Sequence, residues 1–168
     1  MKKILTGLCV FCLIGITQTV TAEEQPIVVD IKRMSLDVAL RIAKATIDQC
    51  RKEGVQVAVT VVDRGGHPQV VLRDVLAQDL TLTISRMKAY TAMSFNMATS
   101  AMEGRFTSPF SIGKVEGIVV SAGGVPVTAS GNIIGGVGVS GAPSGETDEK
   151  CAKAGVAAVA DDLEMATM

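Results

Sequence analysis

Tryptophan is absent from this 168-residue chain, and tyrosine and histidine occur once each, as Tyr90 and His67. A single imidazole excludes a multi-histidine metal site within one chain, and with it the His-Cys-Cys zinc site of nucleobase deaminases. Aromatic residues make up only 3% of the chain, too few for a base-stacking platform. Neither sign of charge is in excess: 16 Lys+Arg face 17 Asp+Glu. That balance argues against nucleic-acid binding through a general basic patch. What is present is glycine, 17 residues of it, in a chain that is 48% hydrophobic. Length and composition predict one compact, aliphatic-cored domain.

The first 22 residues read as an address. Lys2 and Lys3 precede an apolar run, Ile4 to Ile16, and Val20-Thr21-Ala22 forms a small-residue cleavage site. This is the pattern of a secretory signal peptide. The run is short of the roughly 20 residues that a spanning helix needs, so no stable membrane anchor is expected after cleavage. The expected mature domain is 23–168, in the periplasm or outside the cell. Cys9 and Cys12 are lost with the leader, which leaves Cys50 and Cys151. In an oxidising compartment such a pair suggests a disulfide; two buried free thiols are the alternative.

Along the mature chain, Ser35 is a good N-cap, and Leu36, Leu40, Ala43 and Ile47 recur at helical spacing, so a helix is expected over 36–53. Valine-rich 55–62, the turn Asp63-Arg64-Gly65-Gly66 and the segment 68–73 predict a hairpin. Helical spacing returns over 77–95, and Ser100 with Glu103 matches a capping box. Residues 104–115 read as a loop that holds Phe106 and Phe110. Three short strands are expected at 117–122, 125–129 and 133–139, then a helix capped by Thr147 that runs to about Glu164. The expected fold is α+β: an antiparallel five-stranded sheet with packed helices.

Gly136-Val137-Gly138-Val139-Ser140-Gly141 matches G-x-G-x-x-G, but too little chain follows to supply the second parallel strand of a dinucleotide fold. Gly136 and Gly138 instead suit close approach of a helix to one sheet face. His67 could ligate haem iron or shuttle protons; as a turn residue it could equally bond its own hairpin. Met87, Met93, Met97 and Met102 are thioethers at helical spacing, which more commonly fill cores. Lys88 and Tyr90 stand two apart on a helix and do not share a face.

Several of these segments together resemble the GlcG/HbpS-like haem-binding family. They are Val61 to His67, Lys88-Ala89-Tyr90-Thr91-Ala92, Gly123 to Val127, Gly131 to Gly141 and Asp148 to Ala152. The resemblance spans about 36–163. It implies a profilin-like α-β-α domain that assembles into homo-oligomers, often octamers. It also implies haem, or another small planar ligand, as the partner. Axial ligation differs among members, so the resemblance alone assigns no iron ligand. Of the donors in this chain, His67 is the strongest candidate for the metal, with Tyr90 and the methionines behind it. Lys88, Phe106 and Phe110 complete the expected haem-site residues. The function expected is haem sequestration, carriage or sensing. The alternatives are an enzyme or enzyme-accessory subunit acting on a small organic acid, with Lys88 or His67 as acid/base, and a cofactor-free structural oligomer.

Overall fold

The computed structural model describes residues 26–166; the expected leader lies outside the described residues. Ile31 onward forms one compact unit, and residues 26–30, a bend without helix or strand, belong to a separate one. The order is α1 (Leu36–Lys52), β1 (Ala58–Asp63), β2 (Pro68–Arg73), α2 (Leu80–Phe95), β3 (Gly124–Ala129), β4 (Asn132–Ser140), α3 (Gly145–Ala157) and α4 (Ala160–Met165). Two short 3-10 turns, Thr99–Met102 and Ile112–Lys114, lie between α2 and β3.

The sheet has four strands, not five, in the order β2-β1-β4-β3, with every neighbouring pair antiparallel. Residues 117–122 do not join it. Two of their N–H groups find side-chain partners instead: Val119 N donates to Thr91 Oγ1 at 3.0 Å and Ala122 N to Glu103 Oε1 at 2.7 Å. Ile118 N donates to the Val115 carbonyl in a turn. Pro68 and Pro126 both lie on the outer strands β2 and β3, where a missing N–H is tolerated.

The two sheet faces carry different chemistry. Val59, Val61, Val137 and Val139 pack with Ile42, Ala43, Ile47, Cys50 and Cys151 from α1 and α3 in the main core. The opposite face of β4 is glycine and takes α2. A Cβ at Gly136 would meet the Ala89 carbonyl oxygen at 2.6 Å, and one at Gly138 would run into the Ser85 carbonyl and the Ala89 nitrogen. Backbone lies against backbone there, so no side chain can yield. Gly138→Ala should therefore cost about 3 kcal/mol, the upper end of ordinary overpacking. A urea midpoint unchanged from wild type would contradict this contact.

α1 starts at its expected cap: Val38 N donates to Ser35 Oγ at 3.3 Å. Its buried face is Ala39, Ile42, Ala43, Thr46, Ile47 and Cys50, whereas Leu36 and Leu40 are exposed. The capping box at Ser100 is not formed. The Ser100 hydroxyl donates to Glu149, and Glu103 accepts from Ala122, so both members are diverted and only a 3-10 turn results. α3 is capped by Ser144 rather than Thr147, whose N–H is the donor to Ser144 Oγ. It ends at Ala157, and the separate α4 covers the rest. Cys50 of α1 and Cys151 of α3 are bonded, with Cα atoms 5.4 Å apart and a sequence separation of 101.

Candidate functional site

The site grows from the tip of the β1–β2 hairpin. Asp63 organises it: its Oδ1 accepts from Gly65 N at 2.8 Å and His67 N at 2.9 Å, and Arg33 stands 3.5 Å from Oδ2. Burial alone would raise the Asp63 pKa, but the N–H groups of His67 and Gly65 and the His67 and Arg33 charges outweigh it and hold the carboxyl below its ordinary 3.8. Gly66 then turns at φ +82°, and a Cβ there would meet the Tyr90 ring at 2.7 Å. Glycine thus lets the hairpin tip lie against α2.

Between tip and helix lies an open cleft of about 820 Å³, lined by Gly65, Gly66, His67, Thr83, Arg86, Met87, Tyr90, Glu116 and Gly117. Its size falls within the range of small-molecule sites, ~300–1,000 Å³. The His67 side chain is 78% exposed, and its Nδ1 faces Asp63 Oδ1 at 3.4 Å. The cleft therefore gathers an imidazole, a phenol, a thioether and a guanidinium. Arg86 and Glu116 were not legible as site residues. Yet Thr83, Arg86, Met87 and Tyr90 stand at i, i+3, i+4 and i+7, one helical face, and that spacing was the available signal.

The other expected residues lie elsewhere. Phe106 packs against Phe95 with the rings tilted and their centres 5.8 Å apart, and Phe110 is fully exposed; neither lines the cleft. Lys88 is on another face of α2, buried, with Nζ 2.9 Å from Asp148 Oδ2. Asp148 Oδ1 accepts from Ala142 N at 3.0 Å. Burial pushes the Asp148 carboxyl up, against the opposing pull of Lys88 and the Ala142 N–H. The pair borders a second cavity of about 560 Å³. Asp148 is thus an internal partner of α2, not a free carboxylate at a helix start. Glu149 is buried too; burial would raise its pKa, but Lys153 and Ser100 hold it below the usual range. Among the described residues no group of three or more His, Cys, Asp or Glu could hold a metal ion. No helix among them is long and apolar enough to cross a membrane.

A family model described as haem degrading protein HbpS-like matches residues 34–157. A protein of Citrobacter freundii, described as an uncharacterized 15.0 kDa protein in the dhaT-dhaS intergenic region, is 32% identical over 116 residues, 66% of this chain and 82% of that one. A double mutant of HbpS from Streptomyces reticuli superposes with a TM-score of 0.75 at 35% identity, covering 84% of this chain and 97% of that chain. PduOC, solved as a complex with haem, gives a TM-score of 0.68 at 26% identity, with 76% and 95% covered. With the family model matched from Met34 to Ala157, through every strand of the sheet, the chain belongs to the HbpS-like family.

Proposed function

We propose that this protein binds haem in the cleft between the hairpin tip and α2, as an oligomer exported to the periplasm or beyond, and serves in haem sequestration, carriage or sensing. The observation that carries the reading is the convergence of His67, Tyr90 and Met87 on one cleft. These are the nitrogen, oxygen and sulfur donors that haem iron accepts. Family membership and the haem complex of PduOC support it.

The residues fit such a group. A metal-bound histidine commonly turns its second ring nitrogen toward a carboxylate, which fixes the tautomer. Asp63 stands beside Nδ1 in that way and would leave Nε2 for the iron. Arg86, exposed at the cleft, would pair with a propionate. Haem, when bound, would supply the redox-active iron; the protein's part is to hold and orient it. One wall of the cleft is open, and a second copy of the chain would close it over a planar ligand.

Absorption spectroscopy of protein titrated with haem tests the ligand. His67→Ala should shift the Soret band and weaken binding by about tenfold or more, as loss of metal-site groups does, while the oligomer stays intact. An unchanged spectrum and affinity would return His67 to a turn residue and move the ligand to Tyr90 or Met87. Assembly is tested separately. Light scattering at micromolar concentration should return a mass larger than a dimer, and octamers are the expected form. A monomer mass would overturn the oligomer and leave the cleft open.

A further inference from the structure

The second cavity is a different environment from the haem cleft, although α2 lines both. Lys88, Thr81, Ser121, Ser140, Glu103 and Asp148 border it. Lys88 is 4% exposed, and among the described residues its ammonium donates to Asp148 Oδ2 alone. An ammonium carries three N–H donors, so two are left for whatever occupies the cavity. The backbone is shaped around this group. A Cβ at Gly123, which turns at φ +124°, would stand 2.7 Å from Lys88 Nζ and 2.9 Å from the Asp148 Cβ. Only glycine clears that space.

Charge selects the occupant. Besides the Lys88–Asp148 pair, the lining holds the carboxyls of Glu103 and Glu146. The hydrogen bonds of its own backbone N–H and of Ser144 keep Glu146 below the usual carboxyl range. An anionic ligand is therefore disfavoured, and so is an organic acid as substrate. A second cation would meet Lys88. A small neutral molecule with one strong acceptor suits the two remaining N–H donors.

We propose that this cavity binds a small neutral aldehyde or ketone and that Lys88 condenses with it to an imine, with Asp148 as the proton carrier. Asp148 takes one proton from the ammonium. The freed Nζ lone pair forms a bond to the carbonyl carbon, and the carbonyl π electrons move to oxygen. The adduct nitrogen passes one of its protons to that oxygen, and Asp148 returns its own proton to the resulting hydroxyl. The C–O bond breaks, water leaves, and a protonated C=N bond remains. Ammonium and carbonyl give protonated imine and one water, with Asp148 restored as carboxylate and no oxidant or reductant needed. Asp148 Oδ2, 2.9 Å from Nζ, is placed to accept the ammonium proton. Lysine is the side chain that forms such Schiff bases with carbonyl substrates.

The test uses the native, folded protein with glycolaldehyde and cyanoborohydride, read by peptide mass mapping. Exposed Lys150 and Lys153 serve as internal references. Lys88 should be alkylated about tenfold faster than either, despite its burial. Glyoxylate, of similar size but anionic, should label Lys88 more slowly than glycolaldehyde does. Lys88 labelled no faster than the two references would overturn the site, and faster labelling by glyoxylate would overturn the neutral ligand. Ser121→Leu, which narrows the cavity without touching the ion pair, should suppress Lys88 labelling and leave Lys150 and Lys153 unchanged. Undiminished labelling in that variant would mean that local opening exposes Lys88, and would overturn the cavity as the binding site.

Discussion

Reduction of the Cys50–Cys151 bridge is expected to lower the unfolding free energy by about 4–5 kcal/mol, the chain-entropy value for a loop of about 100 residues. Its ends are 101 positions apart. Both cysteines are fully buried where α1 meets α3. Reduced thiols would still pack there as small hydrophobes, so most native contacts survive. The loss acts instead through the unfolded chain, which gains freedom once the link is cut. The packing is tight on its own account: a Cβ at Gly155 of α3 would meet the Ile42 carbonyl oxygen of α1 at 2.8 Å. Denaturant unfolding with and without reductant, equilibrated through the unfolded state, measures the difference. Equal midpoints would contradict the expectation, and so would two titratable thiols in unfolded, non-reduced protein.

Asp148→Ala is expected to cost about 3–5 kcal/mol, because it leaves the Lys88 ammonium buried without its counter-charge. The same change takes the acceptor from Ala142 N, which adds to the loss. Both partners are nearly sealed, with side chains 5% and 4% exposed. Lys88→Met should be costly for the mirror reason. The double variant Lys88→Met/Asp148→Leu should recover most of the loss, since a well-packed apolar pair replaces two desolvated charges. With Asp148→Leu as the matching single variant, a double-mutant cycle by equilibrium unfolding reads the coupling directly. Additive single and double effects would show that the two charges act independently.

Local signals located most elements but not always their faces. Ser35 placed the start of α1, yet Leu36 and Leu40 face solvent and the smaller Ala39, Ile42 and Ala43 go inward. Helical spacing alone cannot choose between overlapping stripes. The glycines of β4 were legible as a packing surface because G-x-G places both on one side of a strand, and α2 lies against them. Residues 117–122 have strand composition, but Val119 N and Ala122 N find Thr91 and Glu103 as partners from distant positions. No local pattern reveals such a competitor. The same limit applies to Ser100 and Glu103, whose capping box is undone by Glu149 and Ala122. At the site, the separation of Lys88 from Tyr90 followed from their spacing. That Tyr90 meets the hairpin tip while Lys88 meets Asp148 depends on how α2 crosses the sheet, which is a tertiary matter.

The strand order carries a consequence for the making of the chain. β1 lies inside the sheet, between β2 and β4, and Ala58 stands opposite Ser140. The hairpin of β1 and β2 is therefore synthesised long before the strand that covers its inner edge. All six residues of β1 are buried in the finished fold. Until β4 emerges, that valine-rich edge has unpaired N–H and C=O groups, the kind of template on which chains aggregate. Such non-local pairing also slows folding, because a long loop must close before the contact repays it. While residues 74–140 are being made, the nascent chain is in a state that invites association with other chains, and completion of β4 ends that exposure.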